Sequence, residues 1–136
     1  MKENNERFEN WIQPKIEEKK LHPKYHFLVQ HKDNLKLGEK TDVGEFTYIN
    51  AKFGVIIEKN VQIGSHCSIY SISTIDNKKG KVLIRENARI GTHSTVMPGI
   101  TIGKNSIVAA YSFVDKNVPD DTTAYGIPIK IKGNSR

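Results

Sequence analysis

The spacing of aliphatic residues predicts an all-β fold for this chain, a parallel β-helix with three short strands per coil. Three observations carry that prediction. Aliphatic residues fall at every sixth position in three runs: Leu37, Val43, Ile49; Ile57, Ile63, Ile69, Ile75; and Ile84, Ile90, Val96, Ile102, Val108, Val114. Glycine follows the aliphatic residue at Gly38, Gly44, Gly64, Gly91 and Gly103. Small or β-branched residues recur four places after it, at Thr41, Thr47, Val61, Cys67, Ser73, Ala88, Ser94, Ser106 and Ser112. An amphipathic helix needs apolar spacing of three to four, and a half-buried strand needs two. A period of six suits a solenoid in which each short strand turns one aliphatic side chain toward the axis.

The elements follow in order. Residues 1–20 are expected to form a short N-terminal helix, with Phe8, Trp11, Ile12 and Ile16 near one face and Pro14 kinking or ending its first half. Residues 21–36 read as a connector, with an extended run at Tyr25–Val29. Together these make an N-terminal region, 1–36. The hexads occupy 37–119, and 120–136 form a tail that leaves the repeat. Two breaks interrupt the hexads. Between Ile49 and Ile57 two extra residues bulge near Phe53-Gly54. Between Ile75 and Ile84 a turn signal at Asn77–Gly80 marks a surface loop.

Composition bounds the function. The chain has 136 residues, enough for one small domain, and 37% are hydrophobic, which a narrow stacked core tolerates. The net charge of +6 favours anionic partners such as phosphates or nucleotides. Basic and aromatic residues do not interleave as in nucleic-acid modules, so nucleic acid is not an expected partner. No apolar run is long enough to span a membrane, and the start, MKENNERFENW, is too polar for a secretory signal. Cys67 is the sole cysteine and sits at a small-residue position of the repeat, where packing is its expected role. A cytoplasmic location is expected.

The hexads also predict a register. With the three faces named A, B and C, Ile84, Ile90 and Val96 open them in turn, and Ile102, Val108 and Val114 repeat the order one coil later. If the loop before Ile84 is an excursion, Ile57, Ile63 and Ile69 hold the preceding coil. His66 and His93 then share one corner in neighbouring coils, a strand spacing of about 4.8 Å apart.

The stretch Ile90–Ile131 resembles the C-terminal part of hexapeptide-repeat acetyltransferases, of the galactoside and maltose O-acetyltransferase type and the sugar acetyltransferases of surface-polysaccharide synthesis. Pro98–Gly103, the VPDD turn at Val118–Asp121 and the Gly126–Lys130 ending carry the likeness within the hexads. The resemblance implies a left-handed parallel β-helix working as a homotrimer, with acetyl-CoA as co-substrate in the groove between two prisms. It also implies a pantetheine arm passing Thr92 and Ala110, and phosphates near Lys116 and Lys130, with Lys132 close by. Asp115 stands where such enzymes usually carry Thr.

The resemblance fails at the expected base. These O-acetyltransferases carry a histidine in the loop after the strand that begins here at Ile69, to take the proton from an acceptor hydroxyl. This chain reads YSISTIDNKKGK there, with Thr74 near the histidine's place and no histidine between Cys67 and Thr92. Either the base has moved to His66, with His93 a supporting neighbour, or the acceptor is an amine that needs less help; Asp76 is a third candidate. Tyr48 and Asn50 are candidates to face the acceptor. His22, His26 and His31 read as surface or packing residues.

The reading is an acyl-CoA-dependent transferase acting on an amino or hydroxyl group of a sugar or nucleotide sugar, in surface-glycan synthesis. Two alternatives stand beside it. One is a non-catalytic trimeric β-helix that only mediates assembly. The other is a zinc enzyme like the γ-type carbonic anhydrases, which need three histidines, two of them five residues apart; no such spacing occurs in these repeats, and no metal site is expected.

Overall fold

A computed structural model describes residues 8–134. Short parallel strands coil around one axis and stack into three faces. Face C carries Leu28–Gln30, Tyr48–Asn50, Ser68–Tyr70, Thr95–Val96 and Phe113–Val114. Face A carries Leu35–Leu37, Val55–Ile57, Val82–Ile84 and Thr101–Ile102, and ends in a bridge from Ile102 to Val118. Face B carries Asp42–Val43, Gln62–Ile63, Arg89–Ile90, Ile107–Val108 and Thr122–Tyr125. The tail then folds back, and Lys130–Asn134 pairs antiparallel with Thr122–Tyr125.

The register is the one the hexads predict. Ile57, Ile84 and Ile102 pair in sequence up face A, as do Ile63, Ile90 and Val108 up face B and Ile69, Val96 and Val114 up face C. All nine side chains are buried in one apolar column, because only the inward side of each short strand escapes water. The small residues of the repeat, Thr47, Val61, Cys67, Ala88, Ser94, Ser106 and Ser112, are buried at the corners. Where they are hydroxylic they bond to turn carbonyls: Thr47 Oγ1 donates to Gly64 O at 2.7 Å, Ser106 Oγ to Gly103 O at 2.6 Å and Ser112 Oγ to Ala109 O at 2.7 Å.

Two expectations are corrected. Residues 8–20 contain no helix; residues 1–7 of that expected element lie outside the described residues. Pro14 cannot donate to a helical ladder, and its ring blocks the preceding turn. The segment instead straps across the first coil by tertiary bonds. Trp11 Nε1 donates to Thr41 O at 2.9 Å, and Lys19 N donates to Val29 O at 2.9 Å. The Glu18 carboxylate accepts the backbone N–H groups of His31 at 2.7 Å and Lys32 at 2.8 Å. These two bonds hold its carboxyl below the usual range. Ile75 keeps the six-residue spacing yet is 99% exposed. It sits in a hairpin in which Ile72–Ser73 pairs antiparallel with Lys78–Lys79, so the aliphatic period runs on by coincidence where the coil has already left the axis.

Candidate active site

Two of the three corners are built alike and filled differently. At each, the third residue after the axial aliphatic adopts left-handed backbone. Between faces A and B these residues are Lys40, Asn60, Asn87, Asn105 and Asp121. Between faces B and C they are Phe46, His66, His93 and Tyr111, with His26 beneath them. Asparagine and aspartate tolerate this conformation, whereas other non-glycine residues pay on the order of 1 kcal/mol for it.

The B–C corner stacks its rings. His26 and Phe46 lie 6.3 Å apart between centroids, Phe46 and His66 5.4 Å, His66 and His93 4.7 Å, and His93 and Tyr111 4.8 Å. The last two pairs are within 6° of parallel, and their spacing is the strand-to-strand rise of the coil. The expected neighbourhood of His66 and His93 is therefore present, in a longer column. Sequence reasoning missed Phe46 and Tyr111, although their signal was available: both stand three places after an axial aliphatic, as the two histidines do. It also placed His26 only among surface or packing residues.

The inner side of this corner is backbone on backbone. A Cβ on Gly44 would lie 2.4 Å from Ser65 N, one on Gly64 2.7 Å from Thr92 N, and one on Gly91 2.4 Å from Ala110 N. Ser65, Thr92 and Ala110 thus form consecutive rungs beside the rings. Thr92 Oγ1 donates to Ser65 O at 2.8 Å and lies 2.8 Å from His93 Nδ1 and 3.1 Å from Ser65 Oγ. A shallow groove on face B, lined by Gln62, Gly64, Arg89, Gly91 and Ala110 among others, opens beside these rungs.

The expected phosphate lysines separate. Lys130 pairs with Tyr125, whose strand ends at the B–C corner above Ala110, so it stands at the end of the same edge. Lys116 follows Phe113–Val114 and lies at the corner between faces C and A. Lys116, Lys130, Lys132 and Asp115 are all exposed. Thr74 and Asp76 lie in the hairpin after Ser71, away from the ring column. A hydrogen bond from Ser73, with Lys78 at 3.7 Å, holds the Asp76 carboxyl below its usual range, which suits a solvated ion pair better than a proton acceptor near neutrality. Tyr48 and Asn50 are on face C. The Tyr48 hydroxyl donates to Gln30 Oε1 at 2.5 Å, and burial pushes it up, so it stays protonated. His22 accepts the backbone N–H groups of Lys24 and Tyr25 in a local turn, and His31 caps a short helical turn. Burial likewise pushes the Cys67 thiol up. Among the described residues no three His, Cys, Asp or Glu side chains gather as metal ligands. No helix among them is long and apolar enough to cross a membrane.

Parallel three-faced coils of hexads, with small-residue corners, make up a left-handed parallel β-helix. Residues 81–116 match the bacterial transferase hexapeptide family, described as six repeats. Similar proteins include acetyltransferases. The galactoside O-acetyltransferase of Lactococcus lactis is 49% identical over 37 residues, which cover 27% of this chain and 18% of that protein. A hexapeptide-repeat acetyltransferase of Vibrio cholerae superimposes with a TM-score of 0.76 at 24% identity, over 81% of this chain and 68% of that one, and has also been solved with acetyl coenzyme A. The maltose O-acetyltransferase of Clostridium difficile superimposes with a TM-score of 0.66 at 26% identity, over 79% of this chain and 63% of that one. The chain thus spans under two thirds of the maltose enzyme, and its aligned part under a fifth of the galactoside enzyme.

Proposed function

We propose that this protein is an acyl-CoA-dependent transferase that moves an acetyl group from acetyl-CoA to an amino or hydroxyl group of a sugar or nucleotide sugar, in glycan synthesis. The observation that carries this reading is the B–C corner. Its glycines let successive coils stack backbone on backbone, the small Ala110 leaves the path beside them clear, and two imidazoles stand alongside. Lys130 supplies positive charge at the far end of that edge, and Lys116 does so one corner away. The Vibrio cholerae relative solved with acetyl coenzyme A supports the choice of donor, and the galactoside and maltose enzymes support a sugar acceptor. A groove this shallow encloses a long cofactor only when a second prism covers it, which is the reason to propose a homotrimer.

The chemistry follows from the residues. The acceptor oxygen or nitrogen attacks the thioester carbonyl carbon. A histidine of the stacked pair, His66 or His93, takes the proton the nucleophile loses. The new bond to the acyl carbon forms, the carbon–sulfur bond breaks, and the departing CoA sulfur receives that proton. Backbone N–H groups at the corner stabilise the oxyanion.

Acetyl-CoA should raise the melting temperature of the parent. Ala110→Trp should abolish that rise by filling the path of the pantetheine arm. Lys130→Glu should reduce it at low salt and matter less at high salt, as charge screening requires. If both variants are stabilised by acetyl-CoA as the parent is, the cofactor does not lie on this edge.

A further inference from the structure

Thr92 carries one hydroxyl proton and has three polar neighbours. It lies 2.8 Å from Ser65 O, a backbone carbonyl with no proton to give. Two oxygens at that distance need a proton between them, so the Thr92 proton is committed there. Thr92 Oγ1 also lies 2.8 Å from His93 Nδ1. That contact needs a proton too, and the threonine has none left. The proton is therefore on Nδ1, and the second lone pair of Thr92 accepts from Ser65 Oγ at 3.1 Å. A neutral imidazole protonated at Nδ1 has its free lone pair on Nε2.

We propose that Thr92 is a positioning residue that holds His93 in its Nδ1–H tautomer, so that Nε2 of His93 is the proton acceptor of the acetyl transfer. This rests on the acyltransferase reading above and adds which imidazole acts and what orients it. His93 is clamped in plane, between His66 at 4.7 Å and Tyr111 at 4.8 Å, so the hydrogen bond to Thr92 fixes which edge faces outward. When Nε2 takes up a proton, Nδ1–H still donates to Thr92, and the Tyr111 face lies against the new cation. His66 differs. Its ring stacks on Phe46 and His93 and makes no side-chain hydrogen bond among the described residues, so nothing selects its tautomer. The logic is that of a triad, in which a third group fixes the base's tautomer and orientation. Here a neutral hydroxyl backed by a carbonyl takes the place of a carboxylate.

The test separates tautomer from turnover. In nitrogen-resolved NMR of the 15N-labelled protein, with the histidines neutral, His93 should carry its proton on Nδ1. Thr92→Val, close in shape but without the oxygen, should move His93 toward the Nε2–H form, and Thr92→Ser should restore the parent pattern. The backbone spectrum reports whether each variant is folded. A parent His93 protonated at Nε2, or a Thr92→Val variant with the parent tautomer, overturns the inference. In transfer assays with acetyl-CoA and either glucosamine or galactose as acceptor, Thr92→Val should lower kcat by about a hundredfold, as loss of orientation does. Serine, which restores the hydroxyl, should rescue kcat together with the parent tautomer. A tautomer shift with unchanged kcat overturns the role of His93 as acceptor. A parent that carries the expected tautomer but transfers no acetyl group to any amine or hydroxyl overturns the acyltransferase reading instead.

Discussion

The A–B and B–C corners share a backbone and differ in what they spend it on. At the A–B corner the left-handed positions hold side chains that bond to one another up the axis. Asn87 Nδ2 donates to Asn105 Oδ1 at 2.8 Å, and Asn105 Nδ2 donates to Asp121 Oδ1 at 3.0 Å. Asn60 and Asn87 are buried at this corner. At the B–C corner the same positions hold rings, with Phe46 53% and Tyr111 62% exposed. Phe46 and Tyr111 carry the left-handed strain with ring stacking in return, and His93 adds a hydrogen bond to Thr92. The difference teaches that the same left-handed backbone can close a corner on its own side chains or leave its side chains exposed to whatever meets the coil.

Breaking the shared backbone should hurt both corners most, and equally. Gly91→Val at the B–C corner and Gly103→Val at the A–B corner would each push a Cβ to 2.4 Å from a backbone nitrogen, that of Ala110 and of Asp120. Each should cost about 3 kcal/mol in urea unfolding, from overpacking against atoms that cannot move aside. Asn105→Ala should cost about 2 kcal/mol in the same measurement, because it removes the acceptor of the Asn87 amide and one donor to the Asp121 carboxylate together. Phe46→Gly sharpens the contrast. It loses two ring contacts, each worth about 0.5–1.5 kcal/mol, and gains relief of left-handed strain, so stability should stay within about 1 kcal/mol of the parent. A loss as large as that of Asn105→Ala would mean the ring column is itself a structural ladder.

The smallest effect concerns the strap beneath both corners. The Glu18 carboxyl is held below its usual range by the N–H groups of Lys32 and His31, so it binds a proton less readily folded than unfolded. Its contribution is present above the unfolded carboxylate range and is lost as pH falls through the lowered folded value. Acid titration followed by Trp11 fluorescence should show the strap loosening in that window, and Glu18→Gln should remove the pH dependence.

The period of six made the fold legible because every coil buries the same positions, so Ile63 and Ile90 could be paired from spacing alone. The same rule put His66 beside His93. What escaped was set by contacts that spacing does not encode. The strap replaced a helix because Trp11 and Glu18 found backbone partners in the first coil, far along the sequence. Ile75 misled because aliphatic spacing says nothing about which way a chain leaves the axis. The first face-C strand, Leu28–Gln30, pairs with Tyr48–Asn50 without an axial residue in the sixfold series, so it appeared only as a short extended run. The hydrogen-bond state of Thr92 needs atomic positions, and no pattern of residue types announces it.

The third corner, between faces C and A, carries a different lesson. It is where the chain takes eight residues from Ile49 to Ile57, fifteen from Ile69 to Ile84 and six from Val96 to Ile102. The long excursion is pinched shut at its neck, where Gly80 N donates to Ser71 O at 2.9 Å and Gly99 N to Gly80 O at 3.1 Å. The coil above therefore rests on the neck and is indifferent to what hangs from it. This corner works as a socket: segments of other lengths and chemistries can be grafted at Ser71–Gly80 while the axial stack and the ring column keep their places.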